Sequence, residues 1–317
     1  MVPPGAVLSI VVTGAGGYVG GRLIQHLRST GVDVVPVVRT PKPWLPDGVV
    51  ADLLGDPDAL TARFADADAV VHLAGASEVR FGDDASAGDA YAETVTTTFE
   101  VAGAARRAGV ARFVFLSTFH VYGGRTDDGV VHEGVEAAPT HPYARSRRYG
   151  EELAAECGPD HVVTLRLTNS IGPPVHADVD RWTLVANAFC RQVVAGEDLR
   201  PQDGGRALRD FVDLGEACRV IGEAAAGAVP RGTYNLGSGA TTSILELAQD
   251  VAGAAEEVLG RRPAIEPQPA VGDPPPPFRV SIEKLAAHVA PPDPDLHRAL
   301  VGTLRLLSRT ESGDAQP

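Results

Sequence analysis

Eight consecutive residues, Thr13-Gly14-Ala15-Gly16-Gly17-Tyr18-Val19-Gly20, constrain the fold of this chain more than any other feature. They follow a short, almost unbroken apolar run over residues 7–13 and precede apolar residues at helical spacing over 18–29. Such a run predicts a strand buried on both faces of a parallel sheet. Glycines between such a strand and a helix allow a tight turn whose backbone approaches a ligand closely, and the helix start offers free N–H groups to an anion. Gly14, Gly17, Tyr18, Val19 and Gly20 are therefore read as a cradle for a dinucleotide pyrophosphate. Gly31 closes the helix and residues 33–39 form a second strand, which makes the opening a β-turn-α-β unit.

The alternation continues. Helices are predicted near 58–64, 87–108 and 143–156, and strands over 69–73, 112–117 and 162–167. Repeated βα units require right-handed crossovers and give an α/β fold with a doubly wound parallel sheet. From about Gly172 the periodicity becomes irregular and prolines increase. The division expected is a dinucleotide-binding domain over 1–171, a smaller C-terminal substrate-binding region over 172–308 and a disordered tail over 309–317. Segments at Asp210-Phe211-Val212 and Tyr234-Asn235-Leu236 are expected to return to the sheet.

Charge and cysteine content narrow the partners. With 28 basic against 41 acidic residues the chain carries a net charge of -13, which opposes a nucleic-acid backbone. Cys157, Cys190 and Cys218 lie far apart without metal-ligand spacing, so neither a metal site nor a disulfide framework is expected. No run of eighteen uncharged apolar residues occurs, and the N-terminus has no basic leader. A soluble, cytoplasmic protein is expected, with no membrane partner.

Which dinucleotide binds is decided mainly where the second strand ends, because an acidic side chain there accepts hydrogen bonds from the adenosine ribose. The strand ends Val37-Val38-Arg39-Thr40. Val38 offers no acceptor, whereas Arg39 can pair with a 2′-phosphate, so NADP(H) is favoured while NAD(H) stays possible. Asp52 and Leu53 follow in a loop that can reach the adenine edge.

In this order the motifs make the chain similar to the extended short-chain dehydrogenase/reductase family, in its nucleotide-sugar-modifying branch of epimerases, dehydratases and ketoreductases. The resemblance rests on Thr13 to Gly20, Asp52-Leu53, Leu73-Ala74-Gly75-Ala76, Leu116-Ser117-Thr118, Val121-Tyr122-Gly123, Pro142-Tyr143, Arg166 with Asn169, Arg209-Asp210-Phe211 and Tyr234-Asn235-Leu236-Gly237. It implies a Rossmann-type sheet, with Leu73, Ala74 and Gly75 also facing the cofactor. It further implies a catalytic pair, Thr118 and Tyr143, in which the phenol exchanges a proton with a carbinol oxygen that the threonine hydroxyl holds.

The resemblance carries departures with it. The family has a lysine four residues after the tyrosine, contacting the nicotinamide ribose; this chain has Arg147. An arginine remains a cation and a ribose donor, but it cannot shuttle a proton at neutral pH and its planar head needs more room. Phe119 and His120 stand where sugar 4,6-dehydratases carry Asp-Glu, which disfavours that elimination; His120 falls where related enzymes place an additional acid/base group. Asn169 and Arg209 match positions that hold a nucleotide diphosphate. The expected second diphosphate arginine is missing from Ala270-Val271-Gly272-Asp273, and Thr94 replaces an expected asparagine.

The implied activity is NADP(H)-dependent ketoreduction or epimerisation at a keto or hydroxyl carbon of a nucleotide sugar, carried by Thr118, Tyr143, Arg147 and His120. Alternatives are a reductase of a non-nucleotide ketone and a non-catalytic NADP(H)-binding sensor. The resemblance also implies a homodimer through the helices near 87–108 and 143–156.

Overall fold

The computed structural model describes residues 8–75 and 87–311. The chain opens with β1 (Ser9–Thr13), α1 (Tyr18–Ser29), β2 (Asp33–Val38) and a short β3 (Val49–Val50), then α2 (Pro57–Phe64) and β4 (Ala69–His72). A helical stretch passes through α3 (Ala87–Tyr91), a π-helical turn (Ala92–Thr96) and α4 (Thr97–Arg107) to β5 (Arg112–Thr118). Next come β6 (Val130–Val131), α5 (Pro142–Cys157), β7 (His161–Leu167) and β8 (Asn169–Ile171). They are followed by α6 (Val185–Val194), β9 (Leu208–Asp213), α7 (Leu214–Ala226), β10 (Gly232–Leu236), β11 (Thr241–Ser243) and α8 (Ile244–Leu259). β12 (Arg279–Val280), α9 (Glu283–Ala286) and α10 (His297–Glu311) complete the order.

Seven strands form one sheet in the order β10-β7-β5-β4-β1-β2-β3, and every neighbouring pair is parallel. This is the doubly wound sheet expected from the alternation. From β1 the chain steps outward through β2 and β3, then returns to the other side of β1 with β4. In such sheets ligands bind beyond the carboxyl ends of the strands where the order reverses. That point lies between Thr13 and His72, the last paired residues of β1 and β4.

The period of two in the strands sorts the core into two layers. Ile10 and Val12 pack with Leu23, Ile24 and Leu27 of α1 and with Val220 and Ile221 of α7. Val11 faces the other way, toward Phe64, Val101, Ala105, Phe113 and Phe115. Each of these Val, Leu, Ile and Phe side chains stabilises the fold by about 1.5–3 kcal/mol through burial. Gly150 lets α5 lie close to β5, since a Cβ there would sit 2.6 Å from the Phe115 ring.

Three differences from the sequence reading have identifiable causes. The helix expected over 87–108 is interrupted by the π-helical turn. The Thr97 hydroxyl donates to the Glu93 carbonyl and the Thr98 hydroxyl to the Thr94 carbonyl at 2.6 Å, back-bonds that compete with the regular ladder. Tyr234-Asn235-Leu236 does return to the main sheet, but Asp210-Phe211-Val212 does not. Beyond Thr168, whose N–H still reaches the Leu236 carbonyl, the chain turns away: β8 pairs in parallel with β9, and β11 pairs antiparallel on its other side. The Asn169 side chain donates to the Asp210 carbonyl at 2.9 Å and fastens this second sheet.

The third difference is at the end, where α10 carries helical backbone to Glu311, inside the stretch read as a tail. Leu300 and Leu304 anchor it in a second core with Phe189, Phe211, Leu247 and Val251. Ala76 and residues 312–317 lie outside the described residues.

Candidate functional site

A cavity of about 660 Å³ opens at the carboxyl end of the sheet, over the point where the strand order reverses. Gly14, Gly17, Tyr18, Val19, Gly20, Arg39, Asp52, Leu53, Leu73, Ala74 and Gly75 line it, together with Thr118, His120, Tyr143, Arg147 and Asn169. Arg209 does not. It lies opposite Thr242 in the β9–β11 ladder, exposed, and donates to the neighbouring Leu208 carbonyl at 2.8 Å.

The glycine turn is built to a tolerance that only glycine meets. Gly14 has φ +74°, and a Cβ on it would lie 2.7 Å from the Ala74 nitrogen; one on Gly20 would lie 2.2 Å from the Gly14 carbonyl oxygen. The loop after β1 thus rests directly on the loop after β4, with α1 starting immediately behind it. Such a backbone cradle at a helix N-terminus fits a dinucleotide pyrophosphate. Tyr18 takes part in a different way: its phenol is buried and donates to the Gly172 carbonyl at 2.7 Å, tying α1 to the end of β8. Burial pushes that phenol well above the usual tyrosine range.

At the adenosine end, Asp52 accepts from the Leu54 N–H at 3.0 Å. Arg39 reaches across the groove to Glu93, with 3.4 Å between Nη1 and Oε1. Lys42 lies over the glycine turn, its Cε 3.0 Å from where a Gly16 Cβ would be. Lys42 and Glu93 both line the cavity, and neither was singled out from sequence. Lys42 was visible as a cation three residues after Arg39; Glu93 gave no signal, because only the π-helical turn and the long crossover bring it to β2.

At the other end, α5 supplies Tyr143 and, one turn later, Arg147. His141 caps the helix, its Nδ1 accepting from the Ala144 N–H at 3.4 Å. Its ring stacks on Tyr143 at 6.0 Å and meets His120 edge-on at 5.5 Å, so His141 touches both. Thr118 ends β5, and its Oγ1 accepts from the His120 N–H at 3.3 Å. Arg147 is only 6% exposed and donates to the Leu116 carbonyl at 3.2 Å, while its Cζ lies 5.6 Å from the Tyr143 ring centre.

The room an arginine needs comes from Gly75. With φ +136°, a Cβ there would lie 3.0 Å from Thr94 Oγ1 and 3.2 Å from Arg147 Nη2. Below Arg147, buried His72 contacts Thr13 Oγ1 at 2.7 Å and Thr98 Oγ1 at 3.2 Å. Burial first, and the Arg147 charge second, push its imidazole down to about 3, so it is neutral at physiological pH.

A buried network backs this end of the cavity. Glu151, one turn beyond Arg147, accepts Ser117 Oγ at 2.6 Å and a two-pronged contact from Arg166 at 2.9 and 2.7 Å. Arg166 lies over the Tyr122 ring at 4.7 Å, and the Tyr122 hydroxyl donates to Asn235 at 2.7 Å. β5, α5, β7 and β10 are thereby locked to one another around the Thr118 end.

Beyond Asn169 the lining continues to Ser170, Arg181 and Leu184. Arg181 is a cation that sequence reasoning passed over, because the segment after Gly172 carries no periodic pattern. Its carbonyl is held by the Asn187 side chain at 3.0 Å.

A family model described as the NAD dependent epimerase/dehydratase family matches residues 10–237. A dTDP-glucose 4,6-dehydratase from Streptomyces niveus is 28% identical over 77% of this chain and 76% of its own length. A UDP-glucose 4-epimerase from Azospirillum brasilense is 27% identical over 65% of each. Among solved structures, MoeE5 in complex with UDP-glucose and NAD superposes with a TM-score of 0.78 at 25% identity, covering 96% of this chain and 99% of that one. The family match runs from the second residue of β1 to just past β10 and so includes all seven strands of the sheet, save Ser9, and every cavity residue named above. The chain belongs to the NAD dependent epimerase/dehydratase family, as an enzyme of the extended short-chain dehydrogenase/reductase type.

Proposed function

We propose that this protein is an NADP(H)-dependent enzyme acting on a keto or hydroxyl carbon of a nucleotide-activated sugar, as a ketoreductase or an epimerase. The observation that carries the reading is that a single cavity joins Arg39 and Lys42, the glycine cradle, and the group Thr118, Tyr143 and Arg147. Gly14, Gly17 and Gly20 would hold the pyrophosphate, Asp52 and Leu53 the adenine edge, and Leu73, Ala74 and Gly75 the middle of the cofactor. Arg39 and Lys42 put two cations where a 2′-phosphate would lie, which supports NADP(H) over NAD(H). The nicotinamide supplies or accepts hydride when bound.

Thr118 holds the substrate oxygen by its hydroxyl. Tyr143 delivers a proton to that oxygen in reduction and removes it in oxidation. Arg147 provides fixed positive charge beside the phenol and a donor toward the nicotinamide ribose, in the place of the family lysine. His120, against His141, is a further acid/base group at the substrate side.

The names of the relatives support a nucleotide sugar as substrate. Asn169 remains in the binding set, and Arg181 takes the diphosphate role that sequence reasoning gave to Arg209. The dehydratase activity of the Streptomyces relative is not carried over, since Phe119 and His120 replace the acidic pair that elimination needs. A cytoplasmic enzyme agrees with buried thiols at Cys190 and Cys218, both pushed up to about 12 by burial. Phe99 on α4 and Tyr149 on α5, exposed by 49% and 52%, suit a homodimer built on these two helices.

The test incubates the enzyme with NADPH and a panel of 4-keto dTDP- and UDP-hexoses, and with NADP+ and UDP-hexoses. Cofactor absorbance and product chromatography are read together. Turnover that disappears in Tyr143→Phe, with cofactor binding retained, is expected. Tight NADPH binding with no conversion of any sugar would replace this reading with that of a redox sensor. Arg39→Asp is expected to move the preference toward NADH by about tenfold or more.

A further inference from the structure

Glu93 lines the cavity at the cofactor end without a role assigned so far. It is the acidic side chain at the adenosine end that contacts Arg39, the residue on which cofactor choice rests. Arg39 is 73% exposed, whereas Glu93 is 25% exposed and comes from the π-helical turn on the opposite wall. That turn is held by the back-bonds of Thr97 and Thr98, which fix the Glu93 and Thr94 carbonyls. π-helical turns inside longer helices recur at functional sites.

Two chemical consequences follow from a carboxylate in this place. It offers hydrogen-bond acceptors for the ribose hydroxyls, the task that Val38 at the end of β2 cannot perform. It also repels a 2′-phosphate and occupies the guanidinium that would bind one. Arg39 and Glu93 thus pull cofactor choice in opposite directions from the two walls of one groove. We propose that Glu93 is a second specificity-determining residue for the dinucleotide, which tempers the NADP(H) preference set by Arg39 and Lys42 and keeps NAD(H) usable. This rests on the cofactor site assigned above.

The experiment measures Kd for NADPH and for NADH by nicotinamide fluorescence, in the wild-type full-length protein and in Glu93→Gln, Glu93→Asp and Arg39→Asp. The readout is the ratio of the two affinities, in which general damage to the protein cancels. Glu93→Gln is expected to raise the preference for NADPH by about tenfold, the scale of one unit-charge interaction in a half-exposed groove. Glu93→Asp keeps the charge and is expected to fall between wild type and Glu93→Gln. If wild type favours NADH and Glu93→Gln still moves the ratio toward NADPH, the NADP(H) assignment fails while the role of Glu93 holds. If Arg39→Asp shifts the ratio but Glu93→Gln leaves it within about twofold of wild type, the role of Glu93 is overturned and the cofactor assignment stands.

Discussion

At the scale of single residues, Arg147 is the most consequential departure in the site, and its neighbours explain how it is accommodated. Gly75 and Thr94 together leave the space that the guanidinium fills. Gly75→Ala adds a Cβ against both and strains a residue at φ +136°, a conformation costing of order 1–3 kcal/mol for other residues. It is expected to lower kcat at least about tenfold, whereas Arg147→Lys, which keeps the cation in a smaller group, should stay within about tenfold of wild type. Steady-state kinetics with the same substrate check both. Thr118 and Tyr143 were legible as cavity residues because they sit in ordered motifs at strand and helix ends. Arg181 and Glu93 were not, since their position in the cavity is set by the tertiary path of irregular or distorted segments. Arg209 keeps its motif but lies on β9 of the second sheet, outside the cavity lining.

Among the elements, the first half was readable because strands buried on both faces give apolar runs and amphipathic helices give their own period. Beyond Thr168 the chain changes sheets, and no local pattern marks that step. A hydrogen bond from Thr168 to Asp210 at 2.8 Å, with Ser238 and Gly239 N–H groups donating to the same carboxylate at 2.9 and 2.8 Å, makes the junction. One local signal in the second half was available. Ser243-Ile244-Leu245-Glu246 starts α8 with a reciprocal cap, in which Ser243 Oγ accepts the Glu246 N–H at 3.1 Å and Glu246 accepts the Ser243 N–H at 2.7 Å. Ser243→Ala is expected to destabilise the fold by about 1 kcal/mol, read from the urea midpoint. Because α8 lies outside the cavity, kcat should be unchanged in this variant.

For the molecule as a whole, two buried groups set opposite pH dependences. His72 has its pKa pushed down to about 3 from 6.5, so the unfolded chain takes up the proton first. Its contribution is complete above pH 6.5 and is lost as pH falls toward 3. Asp210 is pushed up to about 6 from 3.8 by burial, against the hydrogen bonds that favour its charge, so the folded chain protonates first. Its contribution is present below pH 3.8 and is lost as pH rises through 6. The difference in unfolding free energy between wild type and His72→Gln should therefore shrink on acidification below pH 6.5, by up to ~1.4 kcal/mol per pH unit. A difference independent of pH would contradict the neutral, buried state of His72.

One cavity joins the glycine turn, Tyr143, Arg147 and Arg181, and the central proposal is hydride transfer to a sugar carbon under the control of Tyr143. A single-turnover experiment tests this most directly: NADPH deuterated at its hydride-bearing carbon is mixed with excess enzyme and a 4-keto nucleotide sugar, and the sugar is recovered for mass spectrometry. Ketoreductase and epimerase alike are expected to give one deuterium in the sugar ring with wild type and none with Tyr143→Phe. Deuterium that stays in enzyme-bound cofactor with every 4-keto sugar offered would contradict the account.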